Sequence, residues 1–349
     1  MIRIAVIPGD GIGQEVTRAA TRVLERVSER YDCPLSVEPF DLGAERYLRT
    51  GETLPEETFE RLRDDFDAIL LGALGDPRVP DNVHARDILL GLRFRLDLYV
   101  NLRPVRLLDP SHSPLRDVSA DDVDLLIVRE NTEGSYTGMG GTLRSGQPTE
   151  VAIEEDVNTR HGVERIVRAA FELARARGRG KVTLADKANA MRHAGALWRR
   201  VFAEVGEEFP DIERDAWYVD ALAMDLVLHP ASYDVIVASN LFGDILSDVA
   251  AALVGGLGLA PSANFAPGGG ALFEPVHGSA PDLAGTDRAN PFAAILTAAL
   301  LLEHAGRETE ARAVQDAVAA AVESGDTTAD LGGKLGTDEA GKRIADRIG

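Results

Sequence analysis

Short apolar runs rich in β-branched residues alternate with helical patterns along the whole chain, and this alternation restricts the fold more than any other feature. RIAVIPG, DAILLGA, DLLIVRE, KVTLAD and YDVIVAS read as buried strands; QEVTRAATRVLERVSER and VERIVRAAFELARARG read as amphipathic helices. Strands that are apolar without interruption belong in parallel sheets covered on both faces. The pattern predicts an α/β protein, and 349 residues suffice for two lobes or one large unit. Residues 134–157 (GSYTGMGGTLRSGQPTEVAIEEDV) break the pattern. Their glycines followed by alternating TEVAIEE predict a protruding β-hairpin or arm, a device that commonly pairs with a second subunit.

Composition excludes several partners. The net charge of −20 is spread along the chain without an acidic tail, so it is a surface property that repels nucleic acid and anionic membranes. The apolar stretch PFAAILTAALLL is too short to span a bilayer and is expected in the core. The start, MIRIAVIPGDG, reads as a strand and turn, unlike a secretory leader. A single cysteine, Cys33, forbids an internal disulfide and fits a reducing cytoplasm. The expectation is a soluble cytoplasmic protein. Lysine is scarce, at positions 181, 187, 334 and 342 only. Abundant carboxylate with little lysine resembles salt-adapted proteins, in which molar salt screens the self-repulsion.

Chemistry concentrates at a few points. Asp244 and Asp248, in SNLFGDILSD, stand one helical turn apart just after an apolar strand. Two like charges at that spacing call for a divalent cation or a basic partner. Lys187, in VTLADKANAM, is an amine in a chain that otherwise uses arginine; a desolvated lysine can act as a base, which arginine cannot. Arg93, Arg103 and Arg129 each lie within a few residues of apolar sequence and can grip a dicarboxylate. Leu89 and Leu90 precede Arg93 by four and three positions and share its helix face.

Two glycine-rich loops differ in promise. In IPGDGIG, Gly9, Gly11 and Gly13 do not keep the G-x-G-x-x-G spacing, so a Rossmann dinucleotide site is disfavoured. The stretch Phe273–Gly285, FEPVHGSAPDLAG, is read as one loop whose small residues Gly278, Ser279 and Ala280 admit a flat ligand. Asp282 there can accept from a ribose diol and would repel a 2′-phosphate, and His277 can stack or hydrogen-bond.

Taken together, IPGDGIG, LDLYVNLRPVR, VRENTEGSYTG, DKAN, SNLFGDILSD, GGLGLAPSAN and FEPVHGSAPDLAGT resemble the β-decarboxylating dehydrogenases of the isopropylmalate/isocitrate dehydrogenase family along essentially the full length. The resemblance implies a two-lobed, non-Rossmann α/β fold with a protruding β arm. One lobe would hold 1–98 and 250–349 and bind cofactor. The other, 99–249 with the arm, would serve substrate and dimerisation, with the active site in the cleft. Arg93, Arg103 and Arg129 would hold the malate carboxylates, Tyr136 would protonate the enol carbon, and Lys187 would act as base for the substrate hydroxyl. Asp220, Asp244 and Asp248 would bind Mg2+ or Mn2+. Lys187 and Asp220 would reach into a partner's site, making a homodimer the active unit. Glu274, His277, Gly278, Ser279, Ala280, Asp282 and Asn290 would form the NAD site. The apolar side of the helix after Asp244 (Leu246, Val249, Leu253) is expected at the subunit boundary.

Leu89 and Leu90 offer no partner to a γ-carboxylate, whose unpaired burial costs several kcal/mol, whereas an isopropyl group fits them. The implied substrate is (2R,3S)-3-isopropylmalate, oxidised to 4-methyl-2-oxopentanoate and CO2. Homoisocitrate, isocitrate and 3-methylmalate stay open as substrates, as do a non-catalytic regulatory relative and a metal-dependent hydrolase.

Overall fold

The computed structural model describes all 349 residues and divides into two compact units, Met1–Leu98 with Arg106–Ala120 and Ala251–Gly349, and Tyr99–Val105 with Asp121–Ala250. The strands in chain order are β1 (Ile2–Gly9), β2 (Leu35–Pro39), β3 (Ala68–Ala73), β4 (Val100–Arg106), β5 (Asp124–Glu130) and β6 (Gly140–Leu143). They continue with β7 (Val151–Glu154), β8 (Lys181–Asp186), β9 (Glu213–Tyr218), β10 (Val235–Ala238), β11 (Pro261–Phe265) and β12 (Ala271–Pro275).

In the first unit the strands run β2-β1-β3-β12-β11. Pairing is parallel except between β11 and β12. Every residue of β3 (AILLGA) is buried, as a strand covered on both faces requires. The helix Gly13–Tyr31 covers this sheet with Val16, Ala20, Leu24 and Val27, all on one stripe. In the helix Phe292–His304 every residue from Phe292 to Leu302 except Leu296 is buried. It packs against the helices Gly13–Tyr31 and Glu308–Glu323, which makes it core, as its sequence requires. No helix of the chain is long and apolar enough to cross a membrane.

The second unit orders its strands β4-β5-β10-β8-β9, with parallel pairs β5–β10, β10–β8 and β8–β9. Parallel strands place their C-terminal ends on one edge, where open α/β sheets keep their ligands. Arg129 lies near that end of β5, Lys187 follows β8, and the helix Asn240–Leu253 follows β10. The arm is an exposed antiparallel hairpin of β6 and β7, with Gly140 opposite Glu154 and Leu143 opposite Val151.

Two expectations need correction. The stretch from Phe273 to Gly285 is not loop throughout, because Phe273, Glu274 and Pro275 complete β12 and the loop begins at Val276. The helix after Asp244 also faces the other way. Leu246 and Leu253 are 0% and 3% exposed within the single chain and Val249 is half-buried, so this side serves the chain's own interior. A helix following a buried strand must cover apolar surface with one stripe, and these residues supply it. The outward apolar residues are Leu241 and Ile245, 40% and 50% exposed and one turn apart.

Candidate active site

Four segments of the second unit meet around one carboxylate. Asp244, in the helix Asn240–Leu253, pairs with Arg129 from β5 and with Arg103 from β4, whose NH2 lies 3.2 Å from its Oδ1. Tyr136, in the short turn Ser135–Thr137, donates its hydroxyl to Asp244 Oδ2 at 2.9 Å. The side chain of Asp248, one turn on, lies 3.8 Å from Arg103 NH1. Gly243 permits this approach: a Cβ there would fall 2.6 Å from Arg129 Cβ.

The guanidinium groups are fixed before any ligand arrives. Arg129 is 1% exposed and donates from Nε and NH2 to Asn240 Oδ1 at 3.0 and 2.7 Å. Arg103, 6% exposed, donates to Asn101 Oδ1 at 2.9 Å and to Ser247 Oγ at 2.5 Å. Buried arginines held this way keep their guanidinium planes in a fixed orientation. Sequence reasoning missed Asn101, Asn240 and Ser247; only their nearness to Arg103, Asp244 and Asp248 in the chain hinted at them.

The local charges act on proton affinities. Partial desolvation, then the adjacent Asp244 carboxylate, push the Tyr136 phenol above its ordinary value, so it stays protonated at neutral pH. Partial desolvation, reinforced by Asp244, also raises Asp248 above the usual carboxylate range. Two crowded acids one turn apart offer a hard divalent cation the oxygen donors it prefers. The single chain, however, brings no group of three or more His, Cys, Asp or Glu side chains into position for a metal ion. A full ligand set needs oxygen from elsewhere.

Lys187 and Asp220 form a separate pair, Nζ to Oδ2 at 2.6 Å, between the end of β8 and the first turn of the helix Val219–Leu228. The hydrogen bond from Lys187 holds Asp220 below its ordinary value. Neither residue bonds to Asp244, Asp248 or Tyr136 within the chain.

The remaining candidates lie in the first unit. Arg93, in the helix Val83–Arg95, donates to Glu274 Oε1 at 2.6 Å, and its Nε is buried without a partner. Leu89 packs partly on the Ile88–Leu92 core cluster, and Leu90 is half-buried. His277 donates from Nδ1 to Gly278 O at 3.0 Å, while its Nε2 is buried without a partner. Desolvation lowers its proton affinity, so the ring is neutral at pH 7. Gly278 is open on its Cβ side, Ser279 is buried, Ala280 adopts a left-handed φ of 37°, and Asp282 is exposed. Asn290 caps the next helix at Phe292 N (2.9 Å) and donates to Asp330 at 2.9 Å.

Known proteins resemble this chain along its whole length. A profile described as isocitrate/isopropylmalate dehydrogenase matches residues 3–344. A 3-isopropylmalate dehydrogenase of Thermobifida fusca is 49% identical, aligned over 99% of this chain and 98% of its own length. One from Streptomyces griseus is 50% identical over 99% of this chain and 98% of its own. The crystal structure of an isocitrate dehydrogenase from Methylococcus capsulatus superposes with a TM-score of 0.91 at 38% identity, covering 100% of this chain and 99% of that one. Arginines, a phenol and paired acids on the strand ends of such a fold, with relatives half identical from end to end, have one reading: this chain belongs to the isocitrate/isopropylmalate dehydrogenase family.

Proposed function

We propose that the chain is an NAD-dependent β-decarboxylating dehydrogenase acting on (2R,3S)-3-isopropylmalate in leucine biosynthesis. The observation that carries this reading is the convergence of Arg103, Arg129 and Tyr136 on Asp244. Arg103 and Arg129, with Arg93, grip the malate carboxylates. Leu89 and Leu90 receive the isopropyl group, since neither can pair with a third carboxylate. Lys187 would take the 2-hydroxyl proton while bound NAD+ would accept the hydride from C2, and the resulting β-keto acid would lose CO2. Tyr136, kept protonated by its surroundings, returns a proton to the enol carbon. Asp244 and Asp248, joined by Asp220, would hold Mg2+ or Mn2+, which when bound supplies charge stabilisation for the developing oxyanion.

Because Lys187 and Asp220 bond only to each other's neighbourhood in one chain, we assign them to the partner's site in a homodimer. The exposed apolar side chains fit such a partner: Met224, Val227 and Leu228, Leu241 and Ile245, and Leu143, Val151 and Ile153 of the arm. The dinucleotide falls to the first unit, where the Val276–Gly285 loop carries His277, Gly278, Ser279, Ala280 and Asp282, with Glu274 and Asn290 at its flanks. Asp282 would select NAD over NADP by repelling the 2′-phosphate. One free, buried cysteine is in keeping with a cytoplasmic enzyme.

The test compares kcat/KM for 3-isopropylmalate, 3-methylmalate, isocitrate and homoisocitrate with NAD and Mn2+ in KCl. The isopropyl substrate should lead, with 3-methylmalate behind by about 10- to 200-fold, the worth of lost methylenes in an apolar pocket. Isocitrate or homoisocitrate in first place rejects the assignment of Leu89 and Leu90.

Salt adaptation belongs to the same reading. A formal charge of −20 on 349 residues destabilises the compact state through self-repulsion, which molar KCl screens. The melting temperature should climb by several degrees between ~0.1 M and ~2 M KCl, a screening gain of ~2 kcal/mol or more. A flat melting profile across that range removes the idea.

A further inference from the structure

Asp10 lies in the IPGDGIG turn between β1 and the helix Gly13–Tyr31, and none of the steps above uses it. Its side chain is 6% exposed, yet three donors from three segments converge on it. Oδ1 accepts from Ala44 N at 2.7 Å, in the segment after β2. Oδ2 accepts from Gly75 N at 2.8 Å, just after β3, and meets His84 Nε2 at 2.7 Å, in the helix Val83–Arg95. The backbone is drawn in as closely: a Cβ on Gly43 would approach Asp10 Oδ1 to 2.7 Å. With Nε2–H donating, His84 is left with a buried Nδ1 that has no partner, so the ring's one polar contact is this carboxylate.

The turn that Asp10 fixes also holds the loop assigned to the dinucleotide. Ile12 N donates to Ser279 O at 2.8 Å, and the Glu15 carboxylate accepts from Gly285 N. A Cβ on Gly11 would sit 2.0 Å from Ser279 O, so the two backbones touch. A Cβ on Gly75, itself bound to Asp10, would lie 3.2 Å from Ser279 Oγ. Between the two anchor points Ala280 is held at φ 37°, ψ 66°, directly before Pro281. An alanine ahead of a proline does not keep that left-handed conformation unaided; its surroundings impose it. The β1 turn and the helix that follows it thus hold the loop at Ser279 and at Gly285.

We infer that Asp10 is a positioning residue for dinucleotide binding: by tying the β1 turn to Ala44, Gly75 and His84, it sets the Ser279–Gly285 loop before the cofactor arrives. This rests on the NAD reading of that loop. Asparagine is the informative replacement. It keeps one acceptor for Ala44 N but turns a donor toward Gly75 N–H, so the frame loses a strut while the volume stays the same.

The experiment measures NAD binding by calorimetry, steady-state constants for both substrates, and amide exchange at residues 279–285, for wild type, Asp10→Asn, Glu15→Ala and Glu15→Gln. Asp10→Asn should weaken NAD binding about 10-fold and speed exchange in the loop, while KM for the hydroxy acid stays within about twofold. Glu15→Ala should weaken NAD binding about threefold, and Glu15→Gln, which still accepts from Gly285 N, should restore it. A folded Asp10→Asn protein that binds NAD like wild type overturns the inference, as does a loss shared equally by both substrates. Should Asp10→Asn not fold, the Glu15 pair decides: equal NAD affinity for the alanine and glutamine variants overturns it. A wild-type chain that binds no NAD overturns the cofactor reading itself and this inference with it.

Discussion

Replacing Lys187 by alanine should cut NADH formation from 3-isopropylmalate about 1,000-fold, the scale on which a positioned general base acts. The fold should be unaffected, because Lys187 makes one ion pair, to the largely exposed Asp220. The position of that pair makes a sharper test available. If the lysine of one subunit serves the site of the other, a mixed dimer of Lys187→Ala and Tyr136→Phe chains contains one site with both groups intact. Its second site lacks both. Random pairing of equal amounts places half the dimers in that class, so about a quarter of wild-type activity should return on mixing, by the counting of shared sites. Activity that stays at the level of the separate variants refutes the shared site.

Substituting Asp244 by asparagine should have a comparable effect on turnover, about 1,000-fold, because one residue serves two purposes. It is a proposed cation ligand, and it is also the counter-charge of two buried arginines, 1% and 6% exposed. Without it both guanidiniums remain buried and close together with less compensation. The metal-free protein should therefore lose ~3 kcal/mol in denaturant unfolding, the range seen when one partner of a buried pair is removed. Saturating Mn2+ should not restore turnover. Activity within tenfold of wild type, with an unchanged Mn2+ requirement, contradicts the assignment.

How much of this the sequence carried varies with the physics of each part. The strands β1, β3, β5, β8 and β10 are legible because both faces of a parallel strand are covered, which leaves an uninterrupted apolar run. β2 and β9 sit at the ends of their strand orders, β2 only partly covered and β9 largely exposed, so LSVEP and ERDAWY carry no such run. β11 and β12 are short and bounded by Pro261 and Pro275, which read as loop signals. The arm was legible from its glycines and its alternation.

Around the candidate site, spacing placed Asp244 and Asp248 on one helix, because a turn of helix is a local property. The partners that orient the arginines were not legible. Asn240 reaches Arg129 across 111 positions and Ser247 reaches Arg103 across 144, distances over which no periodicity reports. The same holds for Asp10 and His84, 74 positions apart. The outward face of the helix Asn240–Leu253 was misjudged for a related reason: both of its sides carry apolar residues, and only the packed chain shows that Leu246 looks inward and Ile245 outward.

One reaction of this enzyme joins oxidation to loss of CO2. The direct measurement is its stoichiometry: NADH, CO2 and 4-methyl-2-oxopentanoate followed together from 3-isopropylmalate, before and after EDTA, and again after Mn2+ is restored. The three products should appear in equal amounts, vanish with chelation and return with the metal. NADH released without CO2, or no NADH under any of these conditions, would contradict it.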